Sequence, residues 1–263
     1  MLPHPARPSL RRARAVAALV ALSLSAAPLA PVPAAAQERH RPDDAVLWAG
    51  AGALLVGSAL LDRTIESGVQ HGGGTRLEWL SHRLNYVGRP QYAVAALGAT
   101  YLGARLAHAP RTAEGAEHVA IALLASGVAN GALKTIVGRE RPAFTGSPDR
   151  FRPFNTKDHW QSFPSGHATV AFSLAASISE EAGRPWVTAA TYGTAALVGW
   201  SRVYDHRHWA SDVAGGALVG VAASRWTIHR LHSRRAAAGD SAASASVVII
   251  SPLLGGVMVT ITR

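Results

Sequence analysis

Three short stretches hold most of the side chains in this sequence that could do chemistry. The first is Lys134-Thr-Ile-Val-Gly-Arg-Glu-Arg141-Pro142. Seven positions on an α-helix make close to two turns, so Lys134 and Arg141 point to one side. Pro142 holds Arg141 out of helical geometry and ends the helix there. Two cations at one helix end make an anion clamp, and by themselves they also read as a solvated basic helix end favoured by the macrodipole. The second stretch is Phe163-Pro164-Ser165-Gly166-His167, which opens an apolar run. The first turn of a helix presents unpaired N–H groups that suit a phosphate. Gly166 admits close approach of the backbone, Ser165 can cap the helix or donate to an oxyanion, and His167 stands at the mouth. A plain serine cap is the competing reading. The third is Ser201-Arg202-Val-Tyr-Asp-His-Arg-His208-Trp-Ala-Ser-Asp212. His208 and Asp212, four apart, can meet on one helical face. A carboxylate on one ring nitrogen fixes the tautomer and leaves the other nitrogen free to attack. Arg202 adds a planar, permanently charged fork for phosphate oxygens. A surface ion pair of His208 with Asp212 is the alternative.

The elements that must position these residues are helical. Apolar segments rich in Ala, Gly, Val and Leu predict helices near Ala45–Leu61, Gln91–Ala107, Ala116–Val137, Ser165–Ala182, Pro185–Arg202 and Ser211–Leu231. Their small residues allow close helix–helix approach. Two joints are long. Asp62–Pro90 is expected to hold one short amphipathic helix around Leu77–Leu84, and Ala143–Phe163 is a polar loop of a length that is often functional. Its polar middle, Asp149 to Phe154, is expected to lie over the pocket mouth as a lid, or else to be a solvated connection. Val247–Ile250 and Val257–Ile261, with Gly255-Gly256 between them, predict a small C-terminal β-hairpin. The fold class is therefore all-α, a bundle of about six core helices with that hairpin.

The N-terminus has the pattern of an export signal: Arg7, Arg11, Arg12 and Arg14, then apolar Ala15–Leu24, then Ala34-Ala35-Ala36 before Gln37. The apolar run is short for a membrane span, for which ~20 residues are usual. The expected organisation is a signal over 1–36, a helical domain over 37–232, and an Ala/Ser-rich linker with a β-prone tail over 233–263. Losing the signal would lower the formal charge from +10 to +6. A moderately basic chain suits anionic substrates or an anionic lipid surface. Nucleic acid is not expected as a partner, because long basic runs and basic–aromatic interleaving are absent. With no cysteine in the chain, a thiol nucleophile and a thiolate metal site are excluded.

In this order, K-x6-R-P, P-S-G-H and S-R-x5-H-x3-D resemble the full signature of the type 2 phosphatidic acid phosphatase and vanadium haloperoxidase superfamily, over Lys134 to Asp212. The resemblance implies that the helices from Ala45 to Leu231 are the family's bundle. It implies that His208 attacks phosphorus, Asp212 orients His208, and His167 protonates the leaving oxygen and then activates water. Lys134, Arg141, Arg202, the Gly166 N–H and the Ser165 hydroxyl would hold the phosphate oxygens. No metal or other cofactor is implied, and vanadate is expected to bind as a phosphate mimic. The implied activity is hydrolysis of phosphomonoesters, of lipids first, with small phosphoesters or haloperoxidase chemistry as alternatives. The implied place is the periplasm or the periplasmic face of the inner membrane, in association with the membrane. Many relatives carry Gly where this chain has His206. That invites a metal reading with His208, Asp205, Asp212 and His167, opposed by the repulsion of Lys134, Arg141 and Arg202 for a divalent ion. Arg139, offset from Arg141 on the same helix, is expected to tolerate Ala.

Overall fold

The computed structural model describes residues 44–71, 74–144, 146–243, 247–253 and 256–262. The signal over 1–36 lies outside them. Among the described residues there are eight α-helices: α1 Asp44–Leu60, α2 Asp62–His71, α3 Thr75–Val87, α4 Pro90–Leu106, α5 Pro110–Val137, α6 Gly166–Ala182, α7 Pro185–Tyr204 and α8 Ala210–Ala243. The six long helices of the sequence reading are all present, as is α3. The hairpin forms as β1 Val247–Leu253 and β2 Gly256–Thr262, antiparallel.

Local signals explain the helix ends. Pro90, Pro110 and Pro185 occupy first turns, where a missing N–H costs nothing. Gly138, in the left-handed region, closes α5. A Cβ at Gly138 would lie 1.8 Å from the Arg152 carbonyl oxygen, so the long loop can close on this helix end only over a glycine.

Two elements differ from expectation. α2 falls in a stretch read as a joint, because DRTIESGVQH has few apolar residues to show a helical period. It is held by Asp62, which is fully buried. At the other end, α8 runs to Ala243, through most of the segment read as a linker; alanine is the best helix former, and its repetition favours continuing the helix.

α6 is the centre, packed on α5, α7 and α8. One core cluster joins Leu97, Val119, Leu123, Val170, Leu174 and Ile178. A second joins Leu84, Ala171, Ala175, Ala195 and Val198. α8 approaches α6 so closely that a Cβ at Gly216 would lie 2.5 Å from the Ser165 carbonyl oxygen. A buried cluster of Ser126, Ser173 and Ser224 joins α5, α6 and α8 by hydroxyl contacts of 2.8–3.3 Å.

The outer surface is unusually apolar. Leu54, Val56 and Leu60 on α1, Val94, Leu102 and Leu106 on α4, and Leu124, Val128 and Ile136 on α5 are all exposed. Among the described residues α5 alone is long and apolar enough to cross a bilayer, and only 28% of its most apolar window is buried. A core helix of a soluble bundle would hide that face; this one presents it, which marks a lipid or protein contact surface.

Candidate active site

The chain reverses at every joint from α5 to α8, so the end of α5, the start of α6, the end of α7 and the start of α8 meet. There they enclose a cleft of about 730 Å³ whose walls include Lys134, Arg141, Gly166, His167, Arg202 and His208. Six of the eight residues singled out from the sequence thus share one cavity. Asp212 stands directly behind His208. Ser165 is the exception. It is fully buried, and its hydroxyl oxygen turns to the Ala168 N–H at 3.5 Å as a helix cap, while its own N–H donates to the Asp212 carbonyl oxygen. That leaves the cleft to Gly166 at the α6 N-terminus.

His208 lies in the joint between α7 and α8 and is almost wholly buried. Its Nδ1 is 3.6 Å from Asp212 Oδ2, an electrostatic contact longer than a hydrogen bond. Its Nε2 is 3.3 Å from the Arg141 guanidinium. Guanidinium can only donate, so a bond there makes Nε2 the acceptor and puts the ring proton on Nδ1, toward Asp212. The nitrogen with a lone pair then faces the cleft. Burial pushes the His208 pKa down to about 4, and Lys134 and Arg141 add to this against the opposing pull of Asp212. His167 is lowered to about 3, first by burial and then by Arg202, His208, Arg89 and Arg141. Its Nε2 has no hydrogen-bond partner in the protein. The Gly88 backbone presses on its ring, where a Cβ would lie 2.8 Å from His167 Cδ2.

Each cation is held in place. Lys134 Nζ donates to the Gln161 carbonyl oxygen at 2.6 Å. Arg141 reaches the Asp158 carbonyl oxygen, the Asp158 carboxylate and the Arg207 carbonyl oxygen. Arg202 donates to Asp205 Oδ2 at 2.5 Å, and Asp205 in turn accepts from Ser81 of α3 at 2.6 Å.

Behind Asp212 lies a network that sequence reasoning missed. Asp212 Oδ2 accepts from the Ser162 hydroxyl at 2.5 Å and the Trp209 N–H at 2.9 Å. Asp212 Oδ1 accepts from Arg139 at 2.8 Å, and the other arm of Arg139 reaches Asp62 Oδ2 at 2.8 Å. Asp62 also accepts from the N–H and hydroxyl of Ser211. Arg139 is therefore no spare surface cation, and the expectation that it tolerates Ala is corrected: it is buried between two buried carboxylates. An arginine two positions before Arg141 faces elsewhere, and that offset was the available signal.

His206 sits at the rim in the left-handed region, with φ of 53°. That conformation explains why glycine suits this position in relatives. Its Nδ1 is paired with Glu66 of α2 at 2.6 Å. With Asp205 committed to Ser81 and Arg202, the ligand set weighed from the sequence does not converge. The middle of the long loop is also displaced from expectation. Glu140 N–H donates to the Arg150 carbonyl oxygen and Arg152 N–H to the Gly138 carbonyl oxygen, so the loop is strapped along the end of α5. Asp158 is the loop residue that lines the cleft; Arg150 to Phe154 do not.

Comparisons with known proteins bear on the family and the fold. The PAP2 superfamily profile matches residues 116–236. Lipid A 1-phosphatase of Porphyromonas gingivalis is 45% identical over 74 residues, which are 27% of this chain and 16% of that protein. The chain thus matches only a small part of its curated relative. The crystal structure of Aquifex aeolicus LpxE superposes with a TM-score of 0.53 at 22% identity, over 64% of this chain and 95% of that one. The structure of a transmembrane PAP2 type phosphatidylglycerolphosphate phosphatase from Bacillus subtilis superposes with a TM-score of 0.52 at 17% identity, over 86% and 98%.

Proposed function

Since the chain belongs to the PAP2 superfamily, we propose that it is a metal-independent, membrane-associated phosphatase that hydrolyses lipid phosphomonoesters through a phosphohistidine on His208. The observation that carries this is the orientation of His208: Nε2 faces a cleft lined by Lys134, Arg141 and Arg202, while Nδ1 is turned to buried Asp212.

In the first step Nε2 forms a bond to phosphorus as the bond to the leaving oxygen breaks, and that oxygen takes a proton from His167. In the second, water attacks phosphorus, gives its proton to His167, and the phosphorus–nitrogen bond breaks. His167 must carry a proton for the first step, although burial and then the cations around it oppose this in the free cleft. A bound phosphate dianion reverses the local charge and raises its pKa, so substrate itself arms the acid. The three cations and the Gly166 N–H stabilise the equatorial oxygens, which is most of what phosphoryl transfer requires. Vanadate should compete with substrate for the same groups.

A lipid substrate is favoured over a small phosphoester by the exposed apolar flank of α1, α4 and α5. The names of the relatives point the same way, since lipid A phosphate and phosphatidylglycerolphosphate are both lipid phosphates. On this reading the site faces the periplasm of an exported protein. The test is phosphate release from p-nitrophenyl phosphate and short-chain phosphatidate with EDTA present, together with trapping of an acid-labile phosphoenzyme. Dependence on added metal, or turnover with no phosphoenzyme in rapid quench, rejects the mechanism. Preference for p-nitrophenyl phosphate over phosphatidate moves the assignment to an exported acid phosphatase.

A further inference from the structure

The end of the bundle opposite the cleft carries a second set of chemically capable side chains. His118 of α5, Glu181 in the last turn of α6 and His232 of α8 place two ring nitrogens and a carboxylate oxygen within 4.8 Å of one another. His118 Nδ1 lies 2.8 Å, and His232 Nε2 3.2 Å, from the same Glu181 Oε1. The two rings meet edge to face, with centroids 5.5 Å apart. Along α6 this point is about 21 Å from His167, at 1.5 Å rise per residue. The cluster therefore takes no part in the phosphate site.

Two imidazoles and a carboxylate from three helices are a donor set that Zn²⁺ accepts, with water in the fourth place. Tetrahedral ligands at ~2.0–2.1 Å from the metal are about 3.3 Å from one another. The separations from Glu181 Oε1 to the two rings need only small adjustments to reach that. The surroundings also fit. The remaining nitrogen of His118 faces Glu114 Oε1 at 3.8 Å, and a metal-bound imidazole ordinarily turns its second nitrogen to a carboxylate. Arg235 pairs with the same Glu114 oxygen. His118 is largely buried, whereas the His232 side chain is 49% exposed, so an ion can arrive from solvent on that side.

We propose that His118, Glu181 and His232 form a divalent transition-metal site, best matched to Zn²⁺, that ties the far ends of α5, α6 and α8 together. The test uses the untagged full-length protein in detergent, stripped with chelator, desalted, and titrated with ZnCl2 by calorimetry and by thermal melts. One equivalent should bind, and the melting temperature should rise with Zn²⁺. His118→Ala and Glu181→Gln should weaken binding by at least about 100-fold, since even outer partners of a metal site are worth 10–100-fold, and Glu114→Gln by about 10-fold. Half-exposed His232 can be replaced with least risk to the fold; folded His232→Ala with unaltered affinity overturns the proposal. So does absence of saturable binding in the parent protein. Loss of binding in His206→Ala with retention in His118→Ala also overturns it, because the ion would then sit at the cleft. None of these results bears on the phosphatase reading, which concerns the other end of the bundle.

Discussion

The two sides of His208 are built on opposite plans. In front, Lys134, Arg141 and Arg202 gather cationic charge around a cleft that remains open to a ligand. Behind, Asp212, Arg139, Asp62, Ser162 and Ser211 are buried and bonded to one another. That rear network has two carboxylates for one guanidinium and so carries one negative charge in excess. The front is matched to an anionic phosphate, and the rear to the positive charge that His208 gains when it becomes a phosphohistidine. Charges fixed before reaction begins need no reorganisation during it, which is where electrostatic catalysis gets its strength. The comparison teaches that one side acts by touching substrate and the other by keeping a single ring in a single orientation.

The largest effect should come from the ring both sides serve. His208→Ala and His208→Gln are expected to abolish turnover and the phosphoenzyme. A variant that keeps more than about a hundredth of the activity has lost under ~3 kcal/mol, too little for a covalent nucleophile. The next test sets the two sides against each other. Arg139→Ala leaves two buried carboxylates facing one another without a cation, a defect that costs about 3–5 kcal/mol. It should lower the melting temperature strongly and remove activity as well. Arg141→Ala should remove activity with little change in melting temperature, and Arg141→Lys should fail nearly as badly because a single ammonium cannot make the same fork. Equal melting temperatures for Arg139→Ala and Arg141→Ala would erase the distinction between front and rear.

That distinction also marks what was legible in the sequence. Lys134, Arg141, Gly166, His167, Arg202, His208 and Asp212 were found because their spacings recur as three compact motifs, and spacing is what a sequence displays. Asp62 and Ser211 were not. Asp62 lies 150 residues before Asp212, in a short polar stretch with only Ile65 and Val69 to mark a helical face, and its role arises only when α2 folds onto the end of α5. Ser211 looks like any first-turn serine. Ser165 was left with two roles for a related reason: the same hydroxyl can cap or donate, and the cap contact is visible only in the packed helix end. The long helices were legible through their apolar composition, while the length of α8 was obscured because an Ala/Ser-rich stretch suits both a helix and a linker.

Burial of His208 makes a smaller, pH-dependent prediction. Its folded pKa of about 4 lies below the ordinary imidazole value of 6.5. As pH falls below 6.5 the unfolded chain binds a proton that the folded chain refuses. Stability from this group is therefore complete above about pH 6.5 and declines toward pH 4, by on the order of 3 kcal/mol. The drop in melting temperature between pH 7 and pH 4.5 should be smaller in His208→Gln than in the parent. An equal drop in both would mean that the ring is not held neutral by its surroundings.

The smallest effect is expected from the middle of the long loop, which belongs to neither side of His208. Arg150 to Phe154 run along the end of α5, held by backbone bonds at Gly138, Glu140 and Thr135. Their side chains make three contacts with buried residues beneath them: Arg150 with Glu140, the Phe151 ring against the Arg139 guanidinium at 5.7 Å, and Arg152 over Trp160 at 4.9 Å. Phe151 and Arg152 are themselves exposed, and cation–π contacts at the surface are worth about 0.5–1 kcal/mol each. Replacing Arg150 through Phe154 with a Gly/Ser linker of equal length should thus cost about 1–2 kcal/mol of stability and leave substrate choice alone. The informative quantity is the ratio of kcat/KM for phosphatidate to that for p-nitrophenyl phosphate. A strap that only supports Arg139 lowers both constants together, because it acts through the orientation of His208. A lid that binds the lipid lowers the phosphatidate constant selectively, because binding of a remote part of the substrate is then lost. A ratio that falls more than about 10-fold, or ~1.4 kcal/mol, in a folded variant would show that this segment reaches the substrate in the working complex.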